Sequence, residues 1–386
     1  MVTNLRFSGD TLRIGLDAYP LATARTGIGR YVLELCRQLD LLLPEARFYC
    51  YSPSPITADL PSARWIRRID RHPLMARIGS YWWLKGRVHR WCVEDGVEIF
   101  WATRTILPRA TSCFKTVTTV HDLNHLIVPR SMPPLTRLAH RLFFARDVRR
   151  ADVVAVNSSA TARRLWEHLT VRADGVVRPG VSRSFTRQER SQVGARLRNL
   201  GVERPYVLAV GTLEPRKNLE SLITAFLELS NTGRLPGYAL IIVGRPGWKN
   251  ASIHRQLAAP DAKNIRWLGY VADDDLAALY GGADAFVMPS VYEGFGMPVL
   301  EARTAGAPVL ASDIPELREA GGPDGVYVAP NKEGIMQGLL KILSKKTPST
   351  PPTSMESWET AGTVMAKLFH QTTTQGLGAA SPKRAE

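Results

Sequence analysis

Short runs of apolar, often β-branched residues recur along this chain, each separated from the next by a segment with helical spacing. They occupy residues 12–17, 115–120, 151–158 and 176–181, then 206–210, 239–244, 265–271, 285–290, 308–311 and 325–328. Such runs, bounded by Gly, Pro, Asn or Ser, predict strands buried on both faces. Their alternation with helices predicts an α/β chain built on parallel sheets. The pattern lapses between residues 182 and 204, which are polar and charged apart from a short amphipathic segment. It restarts at Tyr206, so a boundary is expected near 185. That gives a first domain over 1–185 and a second over 186–345. Residues 346–354 fall in a Pro/Ser/Thr-rich stretch (KKTPSTPPTS from Lys345) and predict a linker. An amphipathic helix is expected over 355–371, and a disordered tail over 372–386.

The 386 residues suit two domains that each bury a core. No apolar run approaches the roughly 18 residues that would span a bilayer. Asn4, Arg6, Asp10 and Arg13 interrupt any signal-like start. The four cysteines have neither disulfide nor metal spacing, and a cytoplasmic protein is expected. Charge changes this picture, because it is uneven. Residues 1–185 carry 28 Lys and Arg against 15 Asp and Glu, whereas the remainder carries 22 against 20. The first half therefore favours an anionic partner, whether nucleic acid, lipid headgroup or phosphorylated acceptor.

Candidate chemistry concentrates at the ends of the expected strands. After the run at 285–290 comes Tyr292-Glu293-Gly294-Phe295-Gly296-Met297-Pro298-Val299-Leu300-Glu301. Gly294 and Gly296 allow positive φ and close backbone approach. A helix beginning near Met297 would offer unpaired N–H groups and its positive dipole end to a diphosphate. Glu293 and Glu301 would stand on either side of that cradle, as acceptors for hydroxyls. A sugar nucleotide presents that order of groups: sugar hydroxyls, diphosphate, ribose hydroxyls. After the run at 206–210 come Arg216 and Lys217, a fork and a point charge able to neutralise the diphosphate. In the first half, Thr26-Gly27-Ile28-Gly29-Arg30-Tyr31 precedes helical spacing over 31–42, and His121-Asp122 end the strand at 115–120.

Residues 64–91 interleave Trp65, Trp82, Trp83 and Trp91 with eight basic residues, and Leu74, Ile78, Trp82 and Lys85 share one helical face. A cationic, aromatic helix of that kind suits a membrane surface. An ordinary helix packed on its own sheet fits the same residues, and both readings stand. The basic run Arg137, Arg141, Arg146, Arg149, Arg150 adds to either a membrane or a polyanionic acceptor.

With "GTLEPRKNL" at 211–219 and "PSVYEGFGMPVLEA" at 289–302 in view, the sequence resembles glycosyltransferase family 4. The resemblance extends through "TGIGRY" at 26–31, "VHDL" at 120–123, "RPGV" at 178–181, "LGYV" at 268–271 and "SDIPELREAGG" at 312–322. It covers nearly the whole chain and is closest in wording to bacterial mannosyltransferase-type members. It implies the GT-B architecture: two Rossmann-like, doubly wound parallel-sheet domains facing each other across a cleft. It also implies transfer with retention and without a metal ion, from GDP-mannose or another nucleotide sugar. Carried over by position, Arg216 and Lys217 bind the diphosphate. Glu293 and the N–H groups of Gly294, Phe295 and Gly296 hold the sugar side. Glu301 takes the ribose, and the Val271 backbone touches the base. His121 contacts the donor sugar, and Gly27 approaches the phosphates or the acceptor. No cofactor is implied. The partners implied are the donor, a glycan or lipid-linked acceptor, and an anionic membrane touched peripherally on its inner face, with no nucleic acid. The segment before Trp358 is short and Pro-rich for the family. Alternatives weighed are a UDP-sugar donor, a phosphorylase or epimerase of the same fold, and a basic nucleic-acid-binding protein. The last would explain the charge but not the donor constellation.

Overall fold

The computed structural model describes residues 11–22, 26–71, 79–345 and 357–374. The chain divides into two compact units. One comprises residues 1–180 with 356–386, the other residues 181–355.

The first unit is built on seven parallel strands: β1 (Arg13–Asp17), β2 (Arg47–Ser52), β3 (Trp65–Ile69), β4 (Ile99–Ala102), β5 (Lys115–Val120), β6 (Val153–Val156) and β7 (Gly175–Val176). Their order across the sheet is β3-β2-β1-β4-β5-β6-β7, with Leu16 opposite Trp101 where β1 meets β4. The strand order reverses there, so the loops leaving β1 and β4 diverge and open a crevice at the C-terminal edge. Thr26 caps the Gly27–Leu42 helix by accepting from the Gly29 N–H at 3.0 Å. That helix starts four residues earlier than its apolar spacing suggested, because the cap and not the hydrophobic face sets its beginning. It buries Tyr31, Val32, Leu35, Cys36 and Leu39. The Trp358–Thr374 helix packs on it: a Cβ at Gly362 would come within 2.3 Å of the Gln38 side chain. Trp358 meets Tyr31 edge to face, and Phe369 meets Trp101 likewise.

The second unit holds β8 (Tyr206–Val210), β9 (Ala239–Val243), β10 (Ile265–Trp267), β11 (Ala285–Met288), β12 (Val309–Ser312) and β13 (Val326–Val328). All are parallel, in the order β10-β9-β8-β11-β12-β13, with Val207 opposite Ala285. Its reversal point lies between β8 and β11. Apolar clusters cover both faces of this sheet, one around Tyr206, Phe286 and Leu317 and the other around Phe226, Leu240 and Val287.

Three expectations need correction. The division falls after Gly180 and not at 185, because Phe185 is buried against Tyr280 in the core of the second unit. The last helix runs Trp358–Thr374, so Thr372 is a buried helical residue and not part of a tail. The linker at 346–354 and the tail beyond 374 lie outside the described residues. Finally, residues 65–69 are strand β3 and not the start of a helix; the helix here is Ser80–Glu94. Trp65 stacks on Phe48 at 3.9 Å and donates to Asp40, while Trp83 is buried and donates to Asp70. Arg64 pairs with Asp40, Arg68 with Asp95, Arg87 with Asp70 and Arg90 with Glu94. Most of the rings and charges that suggested a membrane face are thus turned into the unit or neutralised on it. Leu74, Arg77 and Ile78 lie outside the described residues.

Candidate active site

The loops leaving β8 and β11 meet at the reversal point of the second sheet. β8 runs into Gly211 and a single 3-10 turn, Pro215–Lys217. Asn218 ends that turn in the left-handed region at φ 55°, where its side-chain amide donates to the carbonyls of Pro289 and Pro330. The Val291 N–H returns a bond to the Arg216 carbonyl at 2.9 Å. These ties hold the two loops in register. Gly244, after β9, closes against the same loop; a Cβ there would come within 1.9 Å of the Gly211 carbonyl oxygen, which only glycine avoids.

This scaffold brings Arg216, Lys217 and Glu293 together. Arg216 Nη1 donates to Glu293 Oε2 at 2.6 Å and Lys217 Nζ donates to Oε1 at 2.7 Å. Arg216 also grips Glu214 through Nε and Nη2, and the Tyr292 carbonyl through Nη1. Burial would push the Glu293 carboxyl up, but Arg216 and then Lys217 outweigh it and hold the pKa at about 2. Burial lowers Lys217, partly offset by Glu293. The carboxylate is therefore ionised throughout the neutral range, and two cations share it.

Beyond Glu293 the chain turns into the Met297–Thr304 helix. Of the two glycines, Gly296 takes the left-handed conformation at φ 103°, and a Cβ there would strike Leu317 at 2.6 Å. The turn falls on Gly296 because it caps the helix, whereas Gly294 is not a positive-φ position. The Val299 and Leu300 N–H groups bond back to the Gly296 carbonyl, and Pro298 has none to offer. The N–H groups of Phe295 and Gly296 find no acceptor among the described residues. They are free donors at a helix start, beside two cations. The Phe295 ring itself is buried in the core. Glu301, one turn into the helix, is buried and accepts from the Tyr280 hydroxyl at 3.0 Å. Val271 packs its side chain into the core just before the Asp273–Gly282 helix. β10 ends at Trp267, short of the expected 271, because Gly269 turns the chain at φ 70°.

In the first unit His121 follows β5 and is buried. Its Nε2–H donates to the Thr103 carbonyl at 2.7 Å, and its ring meets Tyr31 edge to face. Burial lowers its pKa, so the ring is neutral with Nδ1 as its acceptor. Gly27 is the first residue of its helix, and a Cβ there would meet nothing within 4 Å. Packing does not require this glycine; Gly29, against the Pro20 carbonyl at 2.7 Å, is the one it requires. The reversal point between β1 and β4 holds a pair that the motif reading did not single out. Arg104 grips Asp17 through Nε and Nη2 at 2.8 and 3.1 Å, between the rings of Tyr19 and Tyr81. Asp17 at a strand end was visible in sequence; its partner, 87 residues away, was not. Tyr280 was likewise missed, since its contact with Glu301 is made only in three dimensions; Glu214, two residues from Arg216, stood within the motif and was not singled out.

Residues 25–184 match the model "Glycosyltransferase Family 4", and residues 197–360 match "Glycosyl transferases group 1". The O-antigen chain mannosyltransferase B of Escherichia coli is 30% identical over 354 residues, covering 86% of this chain and 91% of that protein. This chain belongs to glycosyltransferase family 4. Another similar protein is the O-antigen chain mannosyltransferase RfbU of Salmonella typhimurium, 28% identical over 59% of this chain and 60% of its own. Among solved structures, sucrose-phosphate synthase from Thermosynechococcus elongatus superposes with a TM-score of 0.73 at 19% identity, over 94% and 99% of the two chains. WaaG, a glycosyltransferase involved in lipopolysaccharide biosynthesis, gives 0.67 at 18% over 95% and 96%. Both share the fold, so the two parallel-sheet units are those of a GT-B glycosyltransferase.

Proposed function

We propose that this glycosyltransferase moves a hexose, mannose from GDP-mannose, onto a glycan or lipid-linked acceptor in surface polysaccharide synthesis. The observation that carries the donor half is the cluster at the second reversal point: Arg216 and Lys217 on Glu293, next to the free N–H groups of Phe295 and Gly296. A bound diphosphate takes over the two cations and the helix start. Glu293 is then released from both bonds and turns its oxygens to the hydroxyls of the sugar. As the glycosidic bond breaks, charge grows on the leaving diphosphate, where these donors already stand. We read the transfer as retaining and metal-independent, with the acceptor oxygen entering on the face the diphosphate leaves and no protein nucleophile. The proposal gives Glu301 the ribose and the Val271 backbone the base. The resemblance alone assigns His121 to the sugar and Gly27 to phosphate or acceptor. Mannose rests on the O-antigen mannosyltransferases to which the chain is similar. Peripheral contact with an anionic membrane belongs to the same proposal, given the basic first unit.

Calorimetric titration with GDP, UDP, GDP-mannose and UDP-glucose, in chelator, tests this directly. Tight binding selective for the guanine nucleotides is expected. Selectivity for UDP would overturn the donor, and binding that appears only with added metal would overturn metal independence.

A further inference from the structure

The Pro134–Arg150 helix has two faces of different kinds. Its inner face is fully engaged with the first unit. Ala139, Phe144, Asp147 and Val148 are buried, and Asp147 accepts from Lys85 and from the Leu107 N–H. Phe143 meets Trp82 edge to face, and His140 meets Tyr81 likewise. Its outer face is unusual for a surface helix. After Pro134, every exposed residue is leucine or arginine: Leu135, Leu138 and Leu142 with Arg137, Arg141, Arg146 and Arg149. The leucines are 66%, 45% and 52% exposed, and their spacing of three and four places them in one stripe. The helix has a single carboxylate, Asp147, and it is buried. The neighbouring Asn124–Ile127 turn adds exposed Leu126, and Arg130 is exposed just after it.

Single exposed leucines need no explanation, but a stripe rimmed by charge marks a surface that is covered in use. The composition distinguishes what covers it. Protein interfaces concentrate aromatic residues at an uncharged centre. Here no aromatic is exposed and arginines interleave with the leucines along the whole helix, with no acid among them. That is the make-up of a helix lying in a bilayer interface, its leucines among acyl chains and its arginines on anionic headgroups. We propose that the outer face of the Pro134–Arg150 helix is the surface by which this enzyme docks on an anionic membrane. This deepens the membrane contact proposed above and moves it from residues 64–91, whose rings are turned inward.

The test is co-sedimentation of the full chain with vesicles containing about a third phosphatidylglycerol, against vesicles of phosphatidylcholine alone. The native protein should partition onto the anionic vesicles, less so at high salt. The triple variant Leu135→Gln/Leu138→Gln/Leu142→Gln should lose at least about tenfold in partitioning. Arg137→Gln/Arg141→Gln/Arg146→Gln should lose the preference for anionic lipid. Leu41→Gln, exposed elsewhere on the unit, should change nothing. Nucleotide titration of every variant should match the native protein, which separates this result from the fate of the donor assignment. If the native chain binds and the leucine variant binds equally, the helix is the wrong surface. If the native chain binds no vesicle, membrane docking is overturned altogether; self-association that the leucine variant abolishes would then assign the face to a second copy of the chain.

Discussion

Each unit places an ion pair where its strand order reverses, and the two pairs are built differently. Between β1 and β4, Asp17 meets Arg104 with both oxygens, and the guanidinium lies between Tyr19 and Tyr81 with Ser80 on its remaining nitrogen. The side chains are 1% and 8% exposed. This pair is closed: its charges are paired, both faces are covered and each guanidinium nitrogen donates a bond. Between β8 and β11, Glu293 serves two cations, Arg216 and Lys217, and Glu214 holds Arg216 from its other side. Arg216 and Lys217 retain 16% and 13% exposure, and free N–H groups lie next to them. This cluster is open, held together until a stronger anion arrives. A closed pair specifies packing, while an open one can exchange partners.

The largest effect that would sharpen this contrast is on the open side. Lys217→Ala should lower turnover by about 10²–10³-fold, the usual loss when a preorganised donor to developing charge is removed. Near-native turnover in a steady-state assay of released nucleoside diphosphate would remove Lys217 from the chemistry. The thermal midpoint should move little, because Arg216 still compensates Glu293.

On the closed side the order inverts. Arg104→Met leaves Asp17 buried and unpaired, which costs about 3–5 kcal/mol. The first unit should melt well before the second, with nucleotide binding retained in the second. Asp17→Asn/Arg104→Met together should recover much of the loss, since no lone charge is left behind. A stable single variant with impaired nucleotide binding would break the comparison.

Acid separates the units as well. His121, His125 and His140 all lie in the first. Burial lowers each of them, the last two to about 4, with His140 adding to the effect at His125, Arg104 adding to it at His140, and Asp122 opposing it at all three. Below the ordinary 6.5 the unfolded chain takes up protons that the folded unit refuses, so stability falls as pH drops from about 6.5 towards 4. Glu293 behaves oppositely. Its depressed pKa contributes stability that is complete above 4.5 and is lost only as pH falls towards about 2. Hydrogen exchange followed peptide by peptide should therefore show the first unit opening near pH 5 with the second intact. Simultaneous opening would mean that the histidines are not decisive.

The difference between the pairs also explains what the sequence disclosed. The open cluster is local in sequence: Arg216 with Lys217, and Glu293 with the glycines, each sit in one short motif after one apolar run. Strand, loop and helix could be assigned from period and punctuation, and those residues fell at their junctions. The closed pair joins the end of β1 to the turn after β4, which become neighbours only when the sheet assembles, so no window contains both. The same blindness affected residues 64–91. Their composition suggested an outward-facing helix, but Asp40, which satisfies Arg64 and Trp65, comes from elsewhere in the fold, and Asp70 reaches Trp83 and Arg87 only once strand β3 and the Ser80–Glu94 helix have packed. The leucine stripe on the Pro134–Arg150 helix was hidden for the converse reason. A helix with apolar residues on both faces shows no periodicity, and only measured exposure tells its sides apart.

Glu301 is the residue on which the contrast between open and closed is least settled by burial alone. It is as hidden as Glu293, and it accepts from the neutral hydroxyl of Tyr280. If it is closed, its task is to accept from Tyr280, and Glu301→Gln performs that task nearly as well through the amide oxygen. If it is open, its charge is reserved for the ribose, where a charged acceptor bonds roughly twice as strongly as a neutral one. Glu301→Gln should then weaken nucleoside diphosphate binding by about tenfold, close to 1.4 kcal/mol, with the melting temperature unchanged. The 2′,3′-dideoxy nucleotide decides between the two. It should bind native and variant protein alike, because the hydroxyls that distinguish them are gone. An equal tenfold loss for the dideoxy ligand would mean that Glu301 acts on the helix and not on the ribose, and would move it to the closed class with Asp17.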